Sequence, residues 1–355
     1  MKGWLRLFVL AALMALGLSA CGDKKPVKSE SFVFGTRVEV QVADEVPETQ
    51  VRAAVSQVLS EFDRMHRTYH AWQPSELTQL NDALAAGKRV HVSAEMASLL
   101  SEAQAFSKSA DGLFDPGIGQ LIALWGFHAD SYVARLPEAS AVNAWLKSHP
   151  SIAQLKIEVD GDGAWVSSRN SKVALDFGGS LKGTALDRAA AILHAAGLNN
   201  ALINIGGNVM ALGTRYGSPW RVAIQAPRYA GPLAILELRD GEATGTSGDY
   251  QRYFEVDGQR YPHLLDPRTG YPAPGVQSVT IVVDGPNAGV RSDVLTKPVF
   301  IAGAQDWTAM VKQLGLRAVL HVAANGTVSV TPNLADRLKF QSHDGKLPDI
   351  QRFSP

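Results

Sequence analysis

Two dipeptides, Asp257-Gly258 and Asn325-Gly326, sit between strand-like runs, the first between QRYFEV and QRYPHLL and the second between VLHVAA and TVSVTP. A two-residue turn of this kind places both residues at positive φ, which Asn, Asp and Gly tolerate, so each pair predicts a β-hairpin and antiparallel pairing. ALINI, WRVAIQA, AILELR, SVTIVV and AVLHVA add further strand-like runs, several bounded by Gly or Pro. Helical periods lie among them. PETQVRAAVSQVLSEFDRMHRTY sets Val51, Val55, Val58, Phe62 and Met65 at helical spacing, with Pro47 suited to the first turn. Ser93 suits the N-cap of a second helix carrying Met96, Leu99, Leu100, Ala103 and Phe106 and stopped by Gly112. A third runs from about Leu181 to Ala196 and ends at Gly197. Helices mixed with hairpins predict an α+β fold of largely antiparallel sheets, not a repeating βαβ array.

The chain has 355 residues and 46% hydrophobic content, enough for a sizeable core. Lys plus Arg and Asp plus Glu both number 34, so no net field favours nucleic acid. The opening MKGWLRLFVLAALMALGLSAC places Lys2 and Arg6 before an apolar run ending in small residues, the layout of a secretory signal. LSAC resembles the bacterial lipobox, and Cys21 is the single cysteine in the chain. Lipid attached at Cys21 would anchor the mature chain outside the cytoplasm. The expected division is a signal peptide over 1–20, a lipidated tether over 21–31, a catalytic domain over 32–345 and a tail over 346–355.

DFGGSLKGTALD, residues 176–187, fails the Walker pattern because Lys182 precedes Gly183 and Thr184. A tight turn and an anion site at the start of the following helix both fit this stretch taken alone. NIGGN, residues 204–208, and ATGTSGDYQRY are further glycine-bearing segments at strand ends. Asp266, Pro267 and Gly270 read as a turn beside His263. Asp293 reads as a helix start, where a carboxylate would cap the helix or meet a hard cation. His66 and His70 are four apart on a helix without an evident third metal ligand.

Taken in order, FGTRVEV, SELTQLN, DGLFDPGIGQLIALWGF, DFGGSLKGTALD, NIGGNVMALG, TSGDYQRYF, HLLDPRTG and SDVLTKPVFIAG resemble the ApbE-like FAD:protein FMN transferases over roughly residues 32 to 303. The resemblance implies the T-fold-like ApbE architecture. It also implies an enzyme that splits FAD, joins FMN through a phosphoester to a threonine of another protein and releases AMP, with magnesium as the usual metal. Its partners would be extracytoplasmic flavin domains of membrane redox complexes, of quinone or ferredoxin oxidoreductase type or in nitrous-oxide-reductase maturation. A lipid anchor suits such partners by holding both proteins in one layer.

The same resemblance assigns residues. Asp176 matches an FAD-contacting aspartate, Gly179 offers a carbonyl to the metal, and Lys182 and Gly183 continue toward the phosphates. Thr36, Asp115, Gly178, Gly206, Gly207, Thr246, Ser247 and Gly248 fall with them on the cofactor side, and Tyr69 or Trp72 would stack on the isoalloxazine. His263 matches the histidine of an H-x-x-D-P-x-T-G motif and stands as base or orienting group, with Asp249 as the less favoured alternative; such a base contributes on the order of 10²–10⁴-fold. Asp293 falls on the metal aspartate. Many relatives carry threonine four residues later, where this sequence has Lys297. Thr296 is then expected to complete the metal shell, Pro298 rotating the turn, or else the Lys297 ammonium takes over part of the metal's role. Two other activities use the same motifs: a lipoprotein that carries FAD intact, and a pyrophosphatase giving FMN and AMP.

Overall fold

A computed structural model describes residues 24–129 and 133–355 of the chain. The proposed signal segment and Cys21 lie outside the described residues. Among the described residues no helix is long and apolar enough to cross a membrane.

Nine strands form the central sheet, and their order in the sheet is their order in the chain. Labelled along the chain they are β1 (Val27–Val33), β2 (Thr36–Val42), β3 (Ala201–Ile205), β4 (Asn208–Leu212), β5 (Ala243–Gly248), β6 (Val276–Val283), β7 (Val319–Ala323), β8 (Val328–Val330) and β9 (Ile350–Arg352). Every neighbouring pair is antiparallel except β8 with β9. The predicted α+β class and its antiparallel bias hold. β1 begins at Val27, within the segment read as a tether, and segment 346–355 closes the sheet edge through β9 with Phe353 edge-on to Trp307.

Alternation decides what each face of the sheet meets. Ala201, Ile203 and Ile205 of β3 join the core cluster shared with helix α1 (Glu48–Thr68), while Leu202 joins a second cluster with Trp220 and Leu236 on the other face. That face is covered by strands Trp220–Gln225, Pro232–Leu238 and Leu338–Phe340. β6, covered on both sides, is buried along its whole length. The helix face carries α1, α2 (Glu76–Ala85), α3 (Ala94–Ser109) and α4 (Leu181–Ala195), followed late in the chain by α5 (Ala288–Val294) and α6 (Thr296–Ile301). α1 buries the five apolar residues the sequence picked out plus Ala54, although Pro47 proves to be its N-cap. Ser93 caps α3 as expected, accepting the Met96 N–H at 3.2 Å.

Of the two hairpin pairs, Asp257 and Gly258 have φ of 50° and 76°, the predicted two-residue turn. Asn325-Gly326 differs. Gly326 alone takes positive φ, at 88°, and its N–H reaches the Ala323 carbonyl, giving a three-residue loop between β7 and β8.

Candidate active site

Asp176 starts the site by folding its own chain: Oδ1 accepts the Gly178 N–H at 2.7 Å, and α4 begins three residues after Gly178. The first turn of α4 then lies directly against α5. A Cβ on Gly183 would stand 2.5 Å from the Gly289 carbonyl oxygen, and one on Gly289 would stand 2.4 Å from the Gly183 oxygen, so the two backbones touch. Asp187 fastens this crossing, its two carboxylate oxygens accepting the Gly289 and Val290 N–H groups at 2.8 Å each. A neighbouring helix thereby caps α5.

Asp293 lies in the last turn of α5, not at a helix start. It caps α4 instead, Oδ2 accepting the Gly183 N–H at 3.0 Å. Oδ1 pairs with Lys297 Nζ, which also donates to the Asp293 carbonyl at 2.7 Å. Burial pushes the Asp293 carboxyl up, but the Lys297 and Lys182 charges outweigh it and hold the group below the usual carboxylate range. Burial lowers Lys297 against the pull of Asp293. Thr296 Oγ1 donates to the Asp293 carbonyl at 2.8 Å, so the 2.7 Å contact with Ser247 leaves Ser247 as the donor. Asn208 faces Asp293 closely enough to lower its pKa, yet its buried Nδ2 lacks a hydrogen bond of normal geometry among the described residues.

His263 Nδ1 is 3.0 Å from the Arg252 carbonyl oxygen, which can only accept, so Nδ1 carries the proton and Nε2 keeps its lone pair. The ring is partly accessible but closely surrounded. Burial first, then the charge of Arg252 and more weakly those of Lys182 and Lys297, push its pKa down to about 3. The imidazole is therefore neutral at pH 7, with three cations acting on it.

Other expected site residues fall in varied settings. Gly206 and Gly207, with φ of 58° and 93°, form the tight turn joining β3 and β4, and Thr36 Oγ1 lies 2.6 Å from where a Gly206 Cβ would stand. Thr246 pairs its hydroxyl with Thr280 at 2.8 Å. A Cβ on Gly248 would strike the Tyr250 ring. Asp249 is clasped by Arg228 through hydrogen bonds of 2.7 and 2.6 Å, which makes it a partner for a cation before a base. Asp115 is buried, its Oδ1 accepting the Gly117 and Ile152 N–H groups at 2.7 and 2.9 Å, which anchors the loop. Of the two aromatics, Tyr69 is 2% exposed with its ring against Phe177, whereas Trp72 is 36% exposed. His66 and His70 have neighbouring rings, but no group of three or more His, Cys, Asp or Glu that could hold a metal occurs among the described residues. The sequence reading missed Arg252, Asn208 and Asp187. Asp187 ends the quoted DFGGSLKGTALD stretch, but nothing local marks it as the cap of a helix a hundred residues away.

Residues 34–320 match the sequence pattern of the ApbE family. The chain belongs to the ApbE family. It is 40% identical over 328 residues to the FAD:protein FMN transferase of Rhodobacter capsulatus, a match spanning 92% of this chain and 61% of that protein's length. It is 28% identical to the FAD:protein FMN transferase of Treponema pallidum, over 94% of this chain and 95% of that one. Among solved structures, the ApbE protein of Thermotoga maritima superposes with a TM-score of 0.80 at 32% identity, covering 88% of this chain and 99% of that one. The apo flavinyl transferase ApbE of Pseudomonas stutzeri gives 0.74 at 28% identity, over 88% of this chain and 96% of that one.

ApbE resemblance pointed to Gly179, Asp293 and Thr296 as magnesium ligands, and this donor set does not fit a divalent cation. Both Asp293 oxygens are engaged, by Gly183 N–H and by Lys297 Nζ, and Thr296 Oγ1 is bonded to Asp293 and Ser247. Beside Gly179 stands Lys297, its Cε 3.6 Å from where a Gly179 Cβ would be. A cation placed there would face an ammonium group.

Proposed function

We propose that this ApbE-family chain transfers FMN from FAD to a threonine hydroxyl of an acceptor protein and releases AMP. The observation that carries the reading is His263, its Nδ1 proton held by the Arg252 carbonyl so that Nε2 keeps its lone pair, with the charges of Arg252, Lys182 and Lys297 acting on it. A pyrophosphate is the anion such a cluster suits. Phosphoryl transfer needs little more than alignment and charge stabilisation, and fixed cations supply the second. The threonine Oγ forms a bond to the FMN phosphorus, the bond from that phosphorus to the bridging oxygen breaks, and AMP leaves with that oxygen. The hydroxyl proton passes to His263 Nε2.

A histidine with a pKa near 3 is a weak base in the free enzyme. Binding a diphosphate beside Lys182, Lys297 and Arg252 offsets the part of this depression that comes from charge, while burial, the larger cause, stays in place. Substrate thus strengthens the base. Asp249, bound to Arg228, serves the site by holding that guanidinium, and exposed Trp72 is the aromatic free to stack on the flavin. No step runs through magnesium.

LSAC and the lone Cys21 support a lipid-anchored, periplasmic placement, with Gly22 favouring the outer membrane. An acceptor flavin domain of a membrane redox complex suits that position. The test incubates the chain from Gly22 onward with FAD and such a domain and reads the acceptor's intact mass. A gain of one FMN supports transfer; FAD bound but uncleaved identifies a carrier, and free FMN with AMP a pyrophosphatase.

A further inference from the structure

We propose that the Lys297 ammonium group takes the place of a divalent cation at the FAD pyrophosphate, so that this chain transfers FMN without magnesium. The inference rests on the transferase reading above. Lys297 Nζ holds the Asp293 backbone oxygen at 2.7 Å and also pairs with Oδ1 of the Asp293 carboxylate, the group the resemblance assigns to the metal. The lysine's position follows from the backbone: Asp293 near the end of α5 and Lys297 at the start of α6 are four residues apart, and Leu295 between the two helices keeps αR dihedrals, so one side chain falls beside the other. The lysine stem runs beside Gly179, Cε standing 3.6 Å from where a Gly179 Cβ would be, an ordinary van der Waals contact.

The remaining donors are also committed elsewhere. Asp293 Oδ2 accepts the Gly183 N–H at the start of α4, and the Thr296 hydroxyl turns to Asp293 O and Ser247. An ammonium carries three N–H donors, and two are used on Asp293, which leaves one for a phosphate oxygen. The Lys297 side chain is 15% exposed and that of Asp293 1%, so the positive end of the pair is the one a ligand can reach. Asn208 Nδ2, buried next to Asp293, lowers the Asp293 pKa without a hydrogen bond of normal geometry among the described residues.

Two measurements test this on the mature chain. Transfer of FMN to an acceptor domain is followed by intact mass in EDTA and in excess Mg²⁺, and Mn²⁺ binding is followed by electron paramagnetic resonance with and without FAD. Transfer in EDTA should stay within about twofold of that in Mg²⁺, because no metal step is needed. Wild type should take up no stoichiometric Mn²⁺. Lys297→Thr, which frees Asp293 Oδ1 and supplies a hydroxyl, should bind stoichiometric Mn²⁺ with FAD present and become EDTA-sensitive. Lys297→Met, keeping the stem without the charge, should lose transfer by about 10²–10³-fold with its melting temperature retained. EDTA abolishing wild-type transfer with Mg²⁺ restoring it, or stoichiometric Mn²⁺ on wild type, overturns the proposal. The Mn²⁺ titration of wild type needs neither acceptor nor variant. Failure of every acceptor to gain FMN therefore counts against the transferase reading, while Mn²⁺ still decides the lysine.

Discussion

Replacing Gly183 by Ala sets two effects of opposite sign against each other. By helix propensity alone the change stabilises by about 1 kcal/mol, since Gly183 lies inside α4. Packing opposes it. The added methyl would lie 2.5 Å from the Gly289 oxygen, 2.6 Å from Val290 Cα and 2.7 Å from Asp293 Cβ, and none of these atoms can swing away by changing rotamer. Carbon contacts relax near 3.5–4.0 Å, so α4 and α5 must part by about 1 Å. Overpacking of this kind costs about 1–3 kcal/mol, and with three rigid contacts the upper end applies, leaving a net loss of about 2 kcal/mol. Urea unfolding followed by circular dichroism measures it. Because α5 carries Asp293, a 1 Å shift should also cut transfer by about 10²-fold. A variant more stable than wild type by about 1 kcal/mol, with transfer intact, would refute the backbone contact and leave propensity as the whole effect.

Asp187→Ala removes the acceptor of two buried N–H groups, and should destabilise by about 2–4 kcal/mol in the same unfolding assay, with Asp187→Asn losing roughly half as much. A loss under about 0.5 kcal/mol would mean that α5 stands without this cap. His263→Gln should bind FAD normally, by fluorescence quenching, while transfer falls by about 10²–10⁴-fold; unchanged transfer removes His263 from the chemistry. His263 also gives stability a pH dependence. Its folded pKa of about 3 lies below the ordinary 6.5, so the unfolded chain takes the proton first, and stability is full above 6.5 and falls as pH drops toward 3. Allowing for the partial accessibility of the ring, wild type should lose about 1–2 kcal/mol between pH 7 and pH 5 that His263→Gln does not.

Elements whose cause is local were readable from the sequence. Helix α1 announces itself through Val51, Val55, Val58, Phe62 and Met65, and the five strand runs fall inside observed strands to within one residue at an end because alternation and bounding glycines act within a few residues. Partners distant in the chain were not readable. Asp293 looks like a cap for its own helix until Gly183, 110 residues earlier, is seen to donate to it. Gly183 looks like a phosphate-loop glycine, but contact with Gly289 is what requires it to lack a side chain. Gly206-Gly207, read as a glycine-bearing segment at a strand end, forms the tight turn of a hairpin whose two arms only the fold shows to be paired. Tyr69 and Trp72 are three apart, yet one is in the core and the other outside, and only the end of α1 at Thr68 settles which.

The bond from Gly183 to Asp293 closes a loop spanning nearly a third of the chain, and the entropy of closing it is recovered only when β5, β6 and α5 are already in place. The residues proposed to meet the diphosphate are thus brought together by contacts distant in the chain. Partly folded chains have a histidine and lysines in them but no arrangement of these that recognises a diphosphate, so FAD stabilises only the finished fold, by an amount set by its free concentration against its dissociation constant. A cell short of flavin would then hold the same protein in a state more readily unfolded and more open to proteolysis.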